Sequence, residues 1–197
     1  MINLRKNKAA GDNSGGYSLM ELLVVMAIIA VTITFFLMGI RLMFTLPSRQ
    51  CARQLKAALE KTRIDTMGRN AAGLRVYRTK KGIYVSHLET GPDGKTLSPE
   101  KEEKAGAGRV KVYYQSDSAG GYAELSDDNG VVLSFKRETG GLYGSAETHK
   151  IGDGGYTATG IKYFWTLSGG SVWRVSIAQL TGIIDIKKVD TVGDTSD

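Results

Sequence analysis

The chain has 197 residues and a formal net charge of +6, and 42% of its residues are apolar. These values are typical of a folded chain with one ordinary domain, and they exclude a disordered, solvating sequence. The single cysteine, Cys51, excludes an internal disulfide framework and a cysteine-based zinc cluster. With only two histidines, His87 and His149, neither a histidine-rich metal site nor a serine-histidine-aspartate triad is expected, and we predict no cofactor.

The positive charge is concentrated in the first half of the chain. Residues 41–81 carry eleven basic and two acidic side chains, whereas residues 82–197 carry twelve basic and sixteen acidic ones. The sequence pI near 9.3 therefore reflects one segment and not the whole chain. A protein whose larger part is mildly acidic does not have the composition of a general nucleic-acid binder.

The most informative segment is an uncharged run of nineteen residues, 22–40, with the sequence LLVVMAIIAVTITFFLMGI. A helix of this length crosses the roughly 30 Å hydrocarbon core of a bilayer. A core helix usually shows an apolar stripe beside a polar face, whereas this run is apolar all round. A cleavable secretory signal is disfavoured because the small residues Ser14, Gly15 and Gly16 precede the run and no such site closes it. We therefore predict a membrane-spanning helix.

Glu21 lies directly before this run, and an acidic side chain costs on the order of 2.5–3.5 kcal/mol in hydrocarbon. The stretch GGYSLME, from Gly15 to Glu21, closely resembles the class III signal of type IV prepilins and of the pseudopilins of type II secretion systems. In that family a short basic leader ends in glycine, an aromatic residue follows the cut, and glutamate is the fifth mature residue. Gly16, Tyr17 and Glu21 match these positions, although the family usually has Phe where this chain has Tyr17.

The resemblance implies a structural, non-enzymatic subunit of a type II secretion pseudopilus or a type IV pilus-like filament. A prepilin peptidase would cut after Gly16 and methylate the new amine of Tyr17, and Glu21 would pair with the N-terminal amine of a neighbouring subunit. The implied partners are other pilins or pseudopilins, the inner-membrane assembly platform and the membrane itself. The implied location is the cytoplasmic (inner) membrane, crossed once, with an extracytoplasmic head. The charge count does not set this orientation, since basic residues flank both ends of the run.

Beyond the run the helix is expected to continue, with Pro47 as a kink or a break and Ser48 as a new N-cap. From Ser48 to about Asn70, apolar and small residues recur at helical spacing, which is typical of a helix packed against a sheet. The residues predicted to share this buried face are Cys51, Leu55, Leu59, Thr62 and Thr66, with Ala52 and Ala58 beside them.

The opposite face of this helix carries four basic side chains, which we name the basic stripe. Its members are Arg49, Arg53, Lys56 and Arg63, with Glu60 between the last two. The stripe is a candidate anion or partner contact. It predicts either contacts to phosphates, as in a DNA-binding minor pilin for DNA uptake, or a face that is solvated or meets acidic heads of neighbouring subunits. We favour the second interpretation. A membrane-anchored extracytoplasmic binding domain that never assembles is a third hypothesis, favoured if no cleavage occurs.

The remaining sequence predicts strands separated by Gly, Ser and Asp turns. The predicted strands are 74–79, 83–88, 110–115, 122–125, 131–136, 156–167, 172–177 and 183–188. A hairpin is predicted around Lys80-Lys81-Gly82, and residues 89–108 are predicted to be a polar exposed loop. The fold class is therefore α+β and pilin-like, with a long N-terminal helix packed on a mostly antiparallel β-sheet head.

The predicted organisation has five parts. They are a cleaved basic leader over 1–16, a transmembrane and assembly helix over 17–45, an amphipathic continuation over 46–73, a β-rich head over 74–188 and a polar tail over 189–197. Three features of the head resemble the GspH/FimT class of minor pseudopilins and minor pilins. They are a strand with a Gly-containing turn at 131–141, a hairpin about Ser168-Gly169-Gly170 and a closing Leu180-Thr181-Gly182-Ile183.

Other motifs in the head do not indicate a site. Asp127-Asp128-Asn129-Gly130 would place the first ligand of an EF-hand on Leu125, so a tight turn is favoured and no metal is predicted. Trp165 and Trp173 flank the late hairpin and are predicted to be core or interface aromatic residues.

Overall fold

The structure is a computed structural model that describes residues 18–68, 72–90, 96–97, 102–118, 120–126, 130–147, 149–151 and 155–196. Within these ranges the chain forms one helix, α1 (Leu19–Gly68), and twelve strands. In chain order the strands are β1 (Ala72–Thr79), β2 (Gly82–Thr90), β3 (Thr96–Leu97), β4 (Glu102–Ala107), β5 (Lys111–Ser116), β6 (Ala123–Glu124), β7 (Val131–Ser134), β8 (Lys150–Ile151), β9 (Tyr156–Thr157), β10 (Ile161–Ser168), β11 (Ser171–Ile177) and β12 (Ile184–Val189). The predicted α+β pilin-like class is confirmed.

Helix α1 begins at a serine cap. The Ser18 hydroxyl accepts a hydrogen bond from the backbone N–H of Glu21 at 3.2 Å, which satisfies one of the unpaired N–H groups of the first turn. The helix continues through Pro47 without a break, so the alternative of a break at this proline is wrong. It ends at Gly68, close to the predicted end at about Asn70, and β1 begins at Ala72.

The chain divides into two compact units, Met1–Ile40 and Arg41–Asp197. In the second unit, the predicted buried face of α1 is confirmed, because Cys51, Leu55 and Leu59 are fully buried. Thr62 and Thr66 are also buried, and their hydroxyls donate to the carbonyls of Ala58 and Thr62 within the helix. Small and apolar residues at helical spacing therefore form a face that packs into the head.

Two antiparallel sheets form the head. The first has the strand order β3-β2-β1-β7, with β4 also paired to β2. The second has the order β12-β11-β10-β5-β6, and β8 pairs with β9 as a separate small hairpin. The β10–β11 turn is formed by Gly169 and Gly170, both with positive φ (57° and 76°), which is the two-residue hairpin geometry that glycine favours.

The largest cluster of buried side chains joins the helix face to both sheets. It includes Leu55 of α1, Leu74 and Ile83 of the first sheet, and Phe164 and Val175 of the second. A smaller cluster around Trp165 covers the other face of the second sheet. There the C-terminal segment packs on the sheet, since the Trp165 indole N–H donates to the carbonyl of Asp194 at 3.3 Å.

Two sequence-based predictions are corrected by the structure. The region 89–108 is not simply an exposed loop, because it contains β3 and β4. Strand β4 has charged and small residues in place of β-branched ones, and it forms because its backbone pairs with β2 at the sheet edge. The predicted strand 156–167 is two strands, β9 and β10, separated by Ala158, Thr159 and Gly160.

Candidate assembly helix and basic stripe

The residues that carry the predicted signal lie at the start of α1. Gly16 and Tyr17, the predicted cleavage and methylation positions, lie outside the described residues. Glu21 lies in the first helical turn and is exposed. A carboxylate at this end of a helix interacts favourably with the partial positive charge of the free N–H groups. Because the cap uses the Ser18 hydroxyl and the Glu21 backbone, the Glu21 side chain is not needed for it.

The first part of the helix presents an uncovered apolar surface. Leu19–Phe36 has a mean hydropathy of 2.5, and none of it is buried by the rest of the protein. The two threonine hydroxyls of this stretch, on Thr32 and Thr34, donate to carbonyls of their own helix, so they are satisfied without water. Such a surface is stable only in a bilayer or against other apolar helices.

The basic stripe is not a single free surface. The Arg49 guanidinium lies over the Trp173 ring, 5.1 Å from its centroid. Lys56 forms an ion pair with Glu60 at 3.6 Å, and Arg63 donates from Nε to the carbonyl of Gly140 at 3.2 Å. Arg53 is exposed. The structure thus divides the four predicted positions: Arg49 and Arg63 contact the head, Lys56 pairs within the helix, and Arg53 is exposed to solvent.

Sequence reasoning missed the junction that Arg63 forms. Gly140 and Gly182 both have positive φ (66° and 65°), and each lies in a turn that packs against Arg63. A side chain at Gly182 would collide with the carbonyl oxygen of Gly140. The Gly-containing turns were the only signal in the sequence, since nothing in the local pattern shows that two of them meet on the helix.

Exposed apolar side chains lie on the two segments that meet at this junction, and sequence reasoning missed them as well. Ile64 and Met67 project from the last turns of α1, and Leu180 and Ile183 flank Gly182 in the turn before β12. Leu180 is 88% exposed. A side chain at Gly140 would come within 2.8 Å of Met67 Sδ, and one at Gly141 would come as close to the backbone oxygen of Gln179. The end of α1 and the turn before β12 therefore both lie beside the Gly140–Gly141 turn. We name these four side chains the apolar patch.

Asp117 holds three loops of the head together. Its carboxylate accepts hydrogen bonds from the backbone N–H of Ser145 at 2.9 Å and from the Gln179 side chain at 2.7 Å. Burial acts to raise the pKa of Asp117, but the hydrogen bonds from Ser145, Gln179 and Ser116 outweigh it and lower the pKa below its ordinary value. These contacts explain the carboxylate as a structural group.

Two further titratable residues also have structural surroundings. Burial raises the pKa of the Cys51 thiol to about 12, so it is an unreactive core residue, as its position on the apolar face predicted. His87 lies in β2, where its Nδ1 is 3.0 Å from the Thr62 hydroxyl, and burial lowers its pKa. Within the described residues, no group of three or more His, Cys, Asp or Glu side chains is arranged to hold a metal ion.

Comparison with known proteins identifies the N-terminal segment. Residues 12–37 match the family model of the prokaryotic N-terminal methylation motif, which agrees with a class III signal of the type IV prepilin kind. The matched range contains Gly16, Tyr17, Glu21 and most of the apolar run. The motif supports a type IV pilin or pseudopilin type of protein. No curated protein and no solved structure matches the chain.

Proposed function

We propose that the protein is a minor pilin or pseudopilin, a structural and non-enzymatic subunit of a type II secretion pseudopilus or a type IV pilus-like filament. The observation that carries the proposal is that the methylation motif over residues 12–37 coincides with an apolar helix surface that the protein leaves uncovered. A soluble domain would bury such a surface. In a filament subunit this apolar surface contacts lipid before assembly and neighbouring helices after it.

The chemistry of the first mature residues follows from this proposal. Prepilin peptidase cuts after Gly16, and the new amine of Tyr17 is methylated. The methylated amine remains a cation. Glu21, which costs on the order of 2.5–3.5 kcal/mol in hydrocarbon, gains a partner when that cation on a neighbouring subunit lies beside it. The ion pair thus offsets the cost of the carboxylate only in the assembled state, and this difference favours assembly.

The proposal includes a location and a set of partners. Before assembly the subunit is anchored in the inner membrane by one span, with an extracytoplasmic head. The inner-membrane assembly platform then transfers it to other pilins or pseudopilins. The apolar patch supports contacts between heads, because exposed apolar side chains that are clustered commonly mark interaction sites. The three Gly-containing turns that resemble the GspH/FimT class are formed in the structure, which supports assignment to a minor subunit.

DNA binding is the second candidate function, and Arg53 is the observation in its favour because it is exposed on the stripe. The other three members already have partners, since Arg49 and Arg63 contact Trp173 and Gly140 of the head and Lys56 pairs with Glu60 of the same helix. Each neutralised phosphate contributes about 0.9 to the slope of log affinity against log salt, so a contact from Arg53 alone would give a small slope. Titration of the full chain in neutral detergent with duplex DNA tests this function. Binding that survives physiological salt and is lost in Arg53→Glu would favour DNA uptake over a purely structural role.

Intact-mass measurement of the membrane-extracted protein tests the proposed function. In cells with an active prepilin peptidase, we expect the wild-type chain to begin at a methylated Tyr17, whereas Gly16→Val keeps its leader because the peptidase needs a residue without a side chain beside the cut. Ser14→Ala, a change two residues away, serves as the control and is cleaved normally. A wild-type chain that still begins at Met1 would instead favour an anchored binding domain that never assembles.

A further inference from the structure

A surface groove lies between the helix and the end of the second sheet, within the unit Arg41–Asp197. Its volume is about 300 Å³. The residues that line it are Leu46, Arg49, Gly169, Gly170, Ser171, Trp173 and Lys188. Two of these seven are basic and none is acidic. The groove therefore has the charge of an anion site.

The side chains of the groove combine three chemical types. Arg49 lies over the half-buried Trp173 ring, which fixes the guanidinium by a cation–π contact while leaving it exposed. Lys188 is exposed and stands opposite Trp173 in the β11–β12 register. Leu46 is 58% exposed. A tryptophan, basic side chains and an exposed leucine together are the composition of proteins at the boundary between lipid and water.

The covalent chain keeps this groove near the membrane. Leu46 is the sixth residue after Ile40, the last residue of the uncharged run. Six residues span at most about 20 Å when fully extended and about 9 Å as a helix. The polar layer on each side of the hydrocarbon is about 5–8 Å thick. Because the segment is helical, Leu46 follows the run by only about 9 Å along the chain, close to the thickness of the polar layer, so the long side chains of Arg49 and Lys188 can reach headgroup phosphates.

We propose that this groove binds the phosphates of anionic phospholipid headgroups while the subunit is anchored in the membrane, and that assembly withdraws it from them. The inference rests on the membrane anchoring in the proposed function. Arg49 and Lys188 supply the positive charge and Trp173 holds Arg49 in place. Each basic side chain close to an anionic membrane surface strengthens attachment to it by about fivefold, which is weak enough to allow later extraction.

Quenching of tryptophan fluorescence tests the proposal, because Trp173 lines the groove whereas Trp165 is fully buried. The full chain is reconstituted in phosphatidylcholine vesicles that contain either brominated phosphatidylglycerol or the same fraction of brominated phosphatidylcholine. The difference between the wild type and Trp173→Phe isolates the signal of Trp173. We expect the anionic lipid to quench Trp173 at least about twofold more than the neutral one at low salt. Free glycerol phosphate should not remove this difference.

Charge variants complete the test. The preference for the anionic lipid should be lost in the double variant Arg49→Glu, Lys188→Glu. In the neutral double variant Arg49→Gln, Lys188→Gln it should fall to half or less. The neutral variant provides the test if the charge reversal prevents folding. Arg137→Glu, Lys162→Glu is the matched control, since both side chains are exposed and neither lines the groove. Equal quenching by the two lipids in a chain that resists alkaline extraction would overturn the inference and leave the anchoring intact. Loss of the chain on extraction would instead contradict the proposed function.

Two other results would also overturn the inference. Competition by glycerol phosphate would assign the groove to a soluble phosphate ligand. If Arg49 and Lys188 became protected from chemical modification only after assembly, with no preference for anionic lipid, the groove would belong to a contact with a neighbouring subunit.

Discussion

Arg63 donates a hydrogen bond from Nε to the carbonyl oxygen of Gly140 at 3.2 Å, although 77 residues separate them in the chain. Gly182 packs against the same carbonyl, so the end of α1 and two turns of the head meet at one point. This junction also supports the apolar patch, because Met67 lies beside Gly140 and both Leu180 and Ile183 lie within two residues of Gly182. The residues that we propose for contacts between heads are thus held by a fixed backbone arrangement.

We expect Gly182→Ala to lower the free energy of unfolding by more than about 2 kcal/mol. An L-residue at positive φ costs about 1–2 kcal/mol, and the added methyl group would also collide with the Gly140 carbonyl. Two control variants separate these causes. Gly170→Ala has a positive φ but open space and should cost only the conformational part, whereas Gly121→Ala meets nothing within 4 Å and should be nearly neutral. Urea unfolding of the full chain in detergent, monitored by tryptophan fluorescence, measures the free energy of unfolding of all three variants. Equal losses for Gly182→Ala and Gly170→Ala would contradict the collision.

Asp117→Asn is expected to destabilise the head at neutral pH by about 1–3 kcal/mol, because the amide cannot accept all the hydrogen bonds of the carboxylate. The pKa of Asp117 is lowered in the folded protein, so the unfolded chain binds its proton first as the pH falls. The contribution of Asp117 is therefore complete above the ordinary aspartate pKa and is lost as the pH falls through the lowered value. Thermal unfolding of both proteins from neutral to acidic pH should show their difference shrinking. A difference that stays constant with pH would contradict this role.

For Glu21→Gln we expect membrane insertion to be unchanged or improved, while the amount of protein in sheared filaments falls at least about tenfold. The reason is that the neutral side chain no longer pairs with the N-terminal cation of a neighbour. Ser18→Ala is the matched control, since it removes the helix cap at a cost of about 1 kcal/mol but keeps the carboxylate. Immunoblots of membrane and filament fractions measure both steps. Normal incorporation of Glu21→Gln would show that the carboxylate has no assembly role.

Local sequence signals predicted the elements whose cause is local. The uncharged run predicted the helix, and the spacing of Cys51, Leu55 and Leu59 predicted its buried face. The paired glycines predicted the β10–β11 turn. The N-terminal motif could be read because its glycine, aromatic residue and glutamate have a fixed spacing.

Elements that depend on distant partners were not predictable in the same way. Strand β4 has the sequence EEKAGA, which has no strong strand former, and its formation depends on pairing with β2. Its approach to the helix also depends on Gly106, where an added Cβ would lie 2.7 Å from Cys51 Sγ. The basic stripe was visible as a helical pattern, but its contacts with Trp173 and Gly140 come from residues far along the chain.

The apolar patch gives the last prediction. Leu180→Glu and the uncharged Leu180→Gln should both leave the thermal stability of the protein unchanged within about 0.5 kcal/mol, because the side chain is 88% exposed. If the patch contacts another pilin head, both variants should weaken that contact, since burial of a leucine contributes about 1.5–3 kcal/mol, or about tenfold or more in affinity. Copurification of partner pilins with the full chain measures the effect. Ala146→Glu, at another exposed turn, is the control and should copurify normally. Normal recovery of partners with both Leu180 variants would exclude the patch from the assembled interface, whereas loss with Leu180→Glu alone would indicate repulsion by the new charge and not the loss of an apolar contact.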